Sequence, residues 1–225
     1  MATLSTKQTD HLFWLGRYLE RVKMTLELTS ELYDLLLDST DAFDVQKLCE
    51  RLSIPNIYND VHDFATRYMF DKDDPNSVPA NLERAFDNAI VMRDVLTTNT
   101  LSYIQLATNT MARARVSASP MLELQETTDY IYAFWGAVED NVTDVRTRYI
   151  MRTGRSVERI DLLLRLRLSD DKLPAEATRL VNRLYRSRMN YDPEVFQRLV
   201  ETFEREDWAS FASQLLGDVN CLVQI

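Results

Sequence analysis

The stretch FWLGRYLERVKMTLEL, residues 13–28, is written a second time as MRTGRSVERIDLLLRL, residues 151–166, with G-R-x-x-E-R at the same phase. Both copies lie in segments of helical periodicity, yet an interior glycine costs a helix about 1 kcal/mol relative to alanine. Keeping it twice implies that the missing side chain is the point: another backbone or a ligand comes close there. The copies start 138 residues apart, far beyond the period of a solenoid unit. They therefore predict two corresponding long helices of one bundle, related by an internal pseudo-twofold.

A helical wheel sharpens this. Leu12, Leu15, Leu19, Val22 and Leu26 form one apolar stripe, and Glu20 falls beside Gly16, with Phe13 and Met24 on its far flank. In the second copy Ile150, Val157, Ile160 and Leu164 make the stripe, Glu158 replaces Glu20, and Met151 and Leu162 replace Phe13 and Met24. Both glutamates are expected to be at least partly buried. Each has an arginine three residues before it (Arg17, Arg155) and one immediately after it (Arg21, Arg159). An exposed i,i+3 pair contributes only about 0.2–0.5 kcal/mol. Two readings stay open at this point. The cluster is an interhelical ion network that fixes register, or it is a site where glutamates and arginines bind a polar ligand or do acid/base chemistry. Guanidinium forks suit carboxylates and phosphates, so an anion is the sharper guess for a ligand.

The remaining periodicity is helical throughout, with no sustained alternation at period two. Four glycines and six prolines in 225 residues leave few turns. Helices are expected over residues 7–37, 41–52 and 59–70, from an N-cap at Ser77 through Leu96, and over LSYIQLATNTMARARVSA. Others start at Ser119-Pro120 and run through Val142, cover 143–168, and follow SDDKLP as two or three shorter helices, one begun by Asp192-Pro193. The class is all-α, a bundle of long helices.

A net charge of −9 argues against a broad nucleic-acid footprint, although RTRYIMRTGRSVER carries five arginines and one acid. Cys49 and Cys221 have no metal-ligand spacing and read as reduced thiols. No run approaches a membrane span, the N-terminus lacks a signal-peptide core, and Cys221 is too far from the end for a prenylation box. The expectation is a cytoplasmic protein with no membrane role. A carboxylate-bridged metal site would need Glu-x-x-His, but Gln8 and Asn59 stand three residues before His11 and His62. No P-loop, dinucleotide fingerprint or nucleophile elbow appears. Phe134-Trp135-Gly136 reads as packing, and the apolar tail SFASQLLGDVNCLVQI as a segment that docks on the bundle or on a partner.

In order along the chain, HLFWLGRYLER, DPNSVPANLERAFDNAIVMRD and RTGRSVERID resemble the bacterial alpha-E domain family, over residues 9–168 with weaker resemblance beyond. The match takes in Trp14, Gly16, Arg17, Glu20 and Arg21, then Ser77, Asp87, Asn88 and Arg93, then Gly154, Arg155, Glu158, Arg159 and Asp161. His11 departs from the family's usual asparagine, Ala85 to Ile90 lacks both arginines of its middle motif, and Lys23 and Glu27 reverse its charges. The resemblance implies one all-helical domain over residues 1–225. It also implies a circularly permuted ATP-grasp protein as partner, because family members are typically encoded beside such proteins or fused to them.

The function expected on that basis is an accessory or partner subunit of an ATP-dependent, amide-bond-forming system with a peptide-like product. Arg17, Arg21, Arg155, Arg159, Trp14, Asn88 and Arg93 are the candidate substrate contacts. No metal or cofactor is expected on this chain, and ATP-Mg is expected on the partner. The alternatives are an enzyme in its own right, with Glu20 or Glu158 as the catalytic acid/base, and a purely structural scaffold. A homo-oligomer remains open.

Overall fold

The computed structural model describes residues 4–38, 44–166, 172–205 and 207–224; side chains 30–38 and 121 lie outside the description. Eleven α-helices are formed among the described residues. Among the described residues the only extended pairing is an isolated bridge between Tyr191 and Val223. The all-α expectation holds. The chain forms two compact units, one of Met1–Glu20 with Val142–Ile225 and one of Arg21–Asn141.

In the second unit, the later part of α1 (Thr6–Asp38) is followed by α2 (Val45–Leu52), α3 (Val61–Phe70), α4 (Val78–Val91), α5 (Arg93–Leu96), α6 (Thr98–Ala114) and α7 (Pro120–Asn141). Ser77 caps α4 as expected, and Asp44 and Asp60 cap α2 and α3. Asp44, Asp60 and Ser77 accept from the backbone N–H of Lys47, Asp63 and Ala80 at 3.1, 2.8 and 3.2 Å, satisfying donors that a helix start leaves without partners. The helix expected to run through Leu96 instead breaks at Met92, whose N–H is shared between the carbonyls of Asn88 and Ala89. This tightens the last turn without any proline or glycine. The acidic connector before α4 does more than link helices: Asp74 is buried and accepts the Tyr58 hydroxyl at 2.5 Å. Phe134 and Trp135 are buried, as packing predicts.

The first unit is built from the start of α1 and from α8 (Val145–Leu166), α9 (Leu173–Ser187), α10 (Pro193–Phe203), a 3-10 turn at Trp208–Phe211 and α11 (Ala212–Cys221). Asp144 opens α8 by accepting the Thr147 N–H at 2.8 Å, and Asp192 opens α10 in the same way towards Glu194 and Val195. The expected end of α8 at Leu168 lies outside the described residues. Helices α8 and α9 run antiparallel: Arg146 donates to the carbonyl of Ser187, Arg186 to the hydroxyl of Tyr149, and Arg159 reaches Glu176. The tail docks within this unit. Leu215, Val219 and Leu222 are buried, and Arg198 of α10 grips Asp218 of α11 through three bonds of 2.6–3.2 Å.

Helices α1 and α8 meet backbone to backbone at the two motif glycines. A Cβ on Gly16 would lie 2.9 Å from the Met151 carbonyl carbon and closer still to its oxygen. A Cβ on Gly154 would meet the Phe13 carbonyl carbon at 3.0 Å, with its oxygen again nearer. Backbone cannot swing aside as a side chain can, so alanine at either position must separate the helices. Gly16→Ala and Gly154→Ala are each expected to lower stability by about 3 kcal/mol, the upper end for overpacking. Gly136 and Gly217 have nothing within 4 Å of an added Cβ, so Gly136→Ala and Gly217→Ala are expected to be neutral or to stabilise by up to about 1 kcal/mol. Chemical denaturation of the four variants checks this, and equal losses at all four would refute the close-approach account.

Candidate functional site

The close approach determines which charges meet. Glu20 and Glu158, 0% and 1% exposed, are buried as the wheel predicts. The short arginine contacts run across the helix pair rather than along one helix, as the i,i+3 spacing had suggested. Arg17 Nε on α1 donates to Glu158 Oε2 at 2.7 Å, and Arg155 Nε on α8 donates to Glu20 Oε2 at 2.9 Å. These are corresponding bonds of the two motif copies. With the glycine side chains absent, the facing carboxylate lies within reach of each guanidinium. Glu20 also accepts from Arg159 Nε at 2.6 Å.

Two extensions leave this core. One runs from Arg17 Nη2 to the Asn220 side-chain oxygen at 3.1 Å, from the Asn220 amide to Asp161 at 2.5 Å, and from Arg165 to Asp161 at 2.8 Å. The apolar tail thus supplies a polar link to the motif. The other runs from Arg159 to Glu176 Oε2 at 3.5 Å. Glu176 is 1% exposed; it accepts from Ser156 at 2.7 Å and from Arg179 and Arg183 at 2.9 Å each, and Arg183 also donates to Ser156. Burial opposes the charge on Glu176, but the Ser156 hydroxyl and the surrounding guanidiniums outweigh it and hold the carboxyl below its usual value of 4.5. For Arg183, burial acts first and the like charges of Arg155, Arg159 and Arg152 add to it. Against the opposing pull of Glu176, they lower its affinity for the proton.

Of the other candidate residues, Trp14 lies at the rim, 36% exposed, with the Arg17 guanidinium 4.9 Å from its ring centre and Tyr18 stacked on it at 5.5 Å. Asn88 and Arg93 belong to the second unit, on α4 and α5. Asn88 is half-buried and donates to the carbonyl of Arg84 on its own helix, and Arg93 is exposed. His62 is exposed and His11 half-buried. Among the described residues, no group of three or more His, Cys, Asp or Glu side chains converges as metal ligands would.

Sequence reasoning missed Glu176, Ser156, Arg179, Arg183 and Asn220 as members of the network. A signal was present for Glu176, Arg179 and Arg183. Glu176 occupies the stripe of Leu173, Ala177, Leu180 and Leu184, with arginines three and seven residues later, and an acid on an apolar stripe needs cations. Asn220 had none, because its role depends on where the tail docks.

The fold and the charge network define an all-helical protein braced by two Glu-Arg motifs on crossing helices. The sequence model of the Alpha-E family, described as a predicted alpha-helical domain with a conserved ER motif, matches residues 4–205, and the chain belongs to that family. Neither a curated protein nor a solved structure matches it. No described helix is long and apolar enough to cross a membrane.

A pH test isolates the buried acid of the second extension. Because the folded pKa of Glu176 is depressed, its contribution to stability is present above the ordinary glutamate range. It is lost as pH falls below about 4.5 and through the lowered folded value. Glu176→Gln is expected to cost roughly 3 kcal/mol at neutral pH, the scale for orphaning buried cations. Its melting temperature is expected to fall less steeply than the wild type's on acidification. Parallel acid limbs in thermal melts from pH 7 to pH 3 would contradict the assignment.

Proposed function

We infer that the protein is the partner subunit of an ATP-grasp, amide-bond-forming system, and that arginines of its duplicated motif meet a polar or anionic, peptide-like substrate. What family members are typically encoded with or fused to supports the partnership, and one observation supports the substrate side. The carboxylates Glu20 and Glu158 are buried, whereas the side chains of Arg155 and Arg159 keep 19% and 22% of their surface exposed. In this reading the glutamates are positioning residues. They hold one edge of each arginine fork, and the other edge is directed to the ligand, with Trp14 and Arg17 as further contacts. The partner holds ATP-Mg, and both proteins are cytoplasmic. The crosswise bonds of the motif copies favour descent of the two helices from one duplicated unit related by a pseudo-twofold.

The second reading, an enzyme using Glu20 or Glu158 as general base, needs a carboxylate that reaches its substrate. The burial of both weighs against it.

The test is co-purification with the ATP-grasp protein encoded alongside, followed by ATP-dependent product formation by the pair. Product is expected only when both proteins are present. Trp14→Ala is expected to weaken capture of the partner about tenfold, as loss of an interfacial tryptophan does, with little change in melting. Glu20→Gln is expected to lower both melting temperature and joint turnover. Turnover by this chain alone would establish the enzyme reading. Melting losses with unaltered turnover per folded molecule would leave only the scaffold.

A further inference from the structure

Four segments of the first unit converge at one end: the start of α1, the start of α8, the end of α9 and the C-terminal tail. Arg146, in the first turn of α8, donates Nε to the Ser187 carbonyl at 3.2 Å, and the Gln224 N–H donates to the Asn190 carbonyl at 3.1 Å. Between these segments lies a cavity of about 90 Å³ whose polar lining is Thr6, Thr9, Arg146, Arg188, Asn190 and Gln224. None of these residues belongs to the motif network. A cavity of about 150 Å³ accepts benzene, so this one suits a group of roughly four or five heavy atoms.

The charge around it has one sign. No Asp or Glu lines the cavity. Asp144 and Asp192, the acids nearest to it in sequence, are engaged as helix caps by Thr147 and by Glu194 and Val195, although Asp144 also attracts Arg146. Neither α1 nor α8 carries an acid in its first turn, where a carboxylate would offset the helix dipole. Each has a cation there instead, Lys7 and Arg146.

Donors without acceptors gather at the same place. The Ser5 hydroxyl accepts the Gln8 N–H at 3.2 Å, which leaves the N–H groups of Thr6 and Lys7 without partners among the described residues. Thr9 is only 9% exposed, and its hydroxyl has no hydrogen-bond partner among the described residues. A hydroxyl buried in that state is costly unless a ligand completes it. The exposed Arg188 side chain bonds to no described residue. Its backbone stands at φ 52°, in the left-handed region where glycine ends a helix without steric cost. Capping α9 therefore calls for glycine, not arginine.

We propose that this cavity binds a phosphate group, with Arg146 and Arg188 as counter-charges and the α1 N-terminus and the Thr9 hydroxyl as neutral donors. Arg146 keeps both Nη groups after Nε is taken, and Arg188 keeps its whole fork. Together with two hydroxyls and two helix N–H groups, these donors exceed what the two oxygens of a planar carboxylate accept. They suit four tetrahedral oxygens at a helix N-terminus. The volume holds the phosphate and little more, so anything esterified to it stays in solvent. The inference goes beyond the ligase reading, since the site lies apart from the motif arginines.

The test is isothermal titration calorimetry of the full chain at constant ionic strength with inorganic phosphate, methyl phosphate and acetate. Phosphate is expected to bind at one site per chain, and acetate at least about tenfold more weakly. Methyl phosphate bound more tightly than inorganic phosphate would identify a phosphate ester as the ligand, and the reverse order the free ion. Arg188→Gly removes a fork and suits the left-handed backbone. It is expected to melt at or above the wild type and to bind phosphate at least about tenfold more weakly. Thr9→Val keeps the shape but not the hydroxyl, and is expected to raise the melting temperature while weakening phosphate about three- to tenfold. Arg186→Gln makes the same change of charge outside the cavity lining and is expected to alter binding by less than about twofold. Three results would overturn the proposal: no saturable phosphate binding, acetate bound as tightly as phosphate, or phosphate binding unchanged in both Arg188→Gly and Thr9→Val. No ATP-grasp protein is present in the assay, so this inference and the ligase reading can fail separately.

Discussion

The backbone contact between α1 and α8 at Gly16 and Gly154 is the constraint on which the charge network depends. Each glycine forgoes about 1 kcal/mol of helix propensity and leaves room for the carbonyl oxygen of the opposite helix. At that separation Arg17 and Arg155 reach the carboxylate across the interface, at 2.7 and 2.9 Å. A pair of methyl groups in the same place would push the helices apart and leave two carboxylates in a dry interface with their partners withdrawn. The glycines and the ion pairs are therefore one device.

What that device contributes is specificity more than stability. Removing carboxylates and guanidiniums from water costs several kcal/mol per ion, and a well-made buried network roughly repays this. A one-turn slip of α1 along α8 would bring Glu20 opposite an apolar position and leave Arg155 and Arg159 facing side chains that cannot accept. The apolar stripes of both helices tolerate such a slip far better, since leucine against isoleucine is nearly as good one turn away. Register is set by the charges. Both glutamates take part: Glu20 is held by Arg155 and Arg159 of α8, and Arg17, which holds Glu158, is itself steadied by Asn220 from the C-terminal tail.

Much of this was legible in the sequence, for definable reasons. Glycine at the same phase in two helical segments implied a close approach, and the wheel put Glu20 and Glu158 on the buried side because helical geometry fixes angular position from residue number alone. Caps at Ser77 and Asp192 were readable because they are local chemistry. The direction of the arginine contacts was not: pairing along the helix and pairing across it satisfy the same spacing, and only the helix separation decides between them. Glu176 went unnoticed because its partners come from α8 as well as α9, and Asn220 because its position depends on the docking of a tail. The break at Met92 leaves no mark in composition, since no glycine or proline makes it. The candidate substrate contacts Asn88 and Arg93 rested on the family resemblance, and they fall in the other compact unit.

Arginine, rather than lysine, lets one helix serve two purposes. An ammonium is a point charge that is largely satisfied by one carboxylate, whereas a guanidinium presents five N–H donors in a plane with two usable edges. Along α8, Arg155 and Arg159 turn Nε towards Glu20, and Arg159 extends Nη1 towards Glu176. Their remaining surface faces outward. The buried carboxylates thereby fix the position and the plane of each fork before any ligand arrives, which lowers the ordering cost that a flexible cation would incur on binding. The brace that sets the register of α1 and α8 is thus also what preorganises the guanidiniums of Arg155 and Arg159.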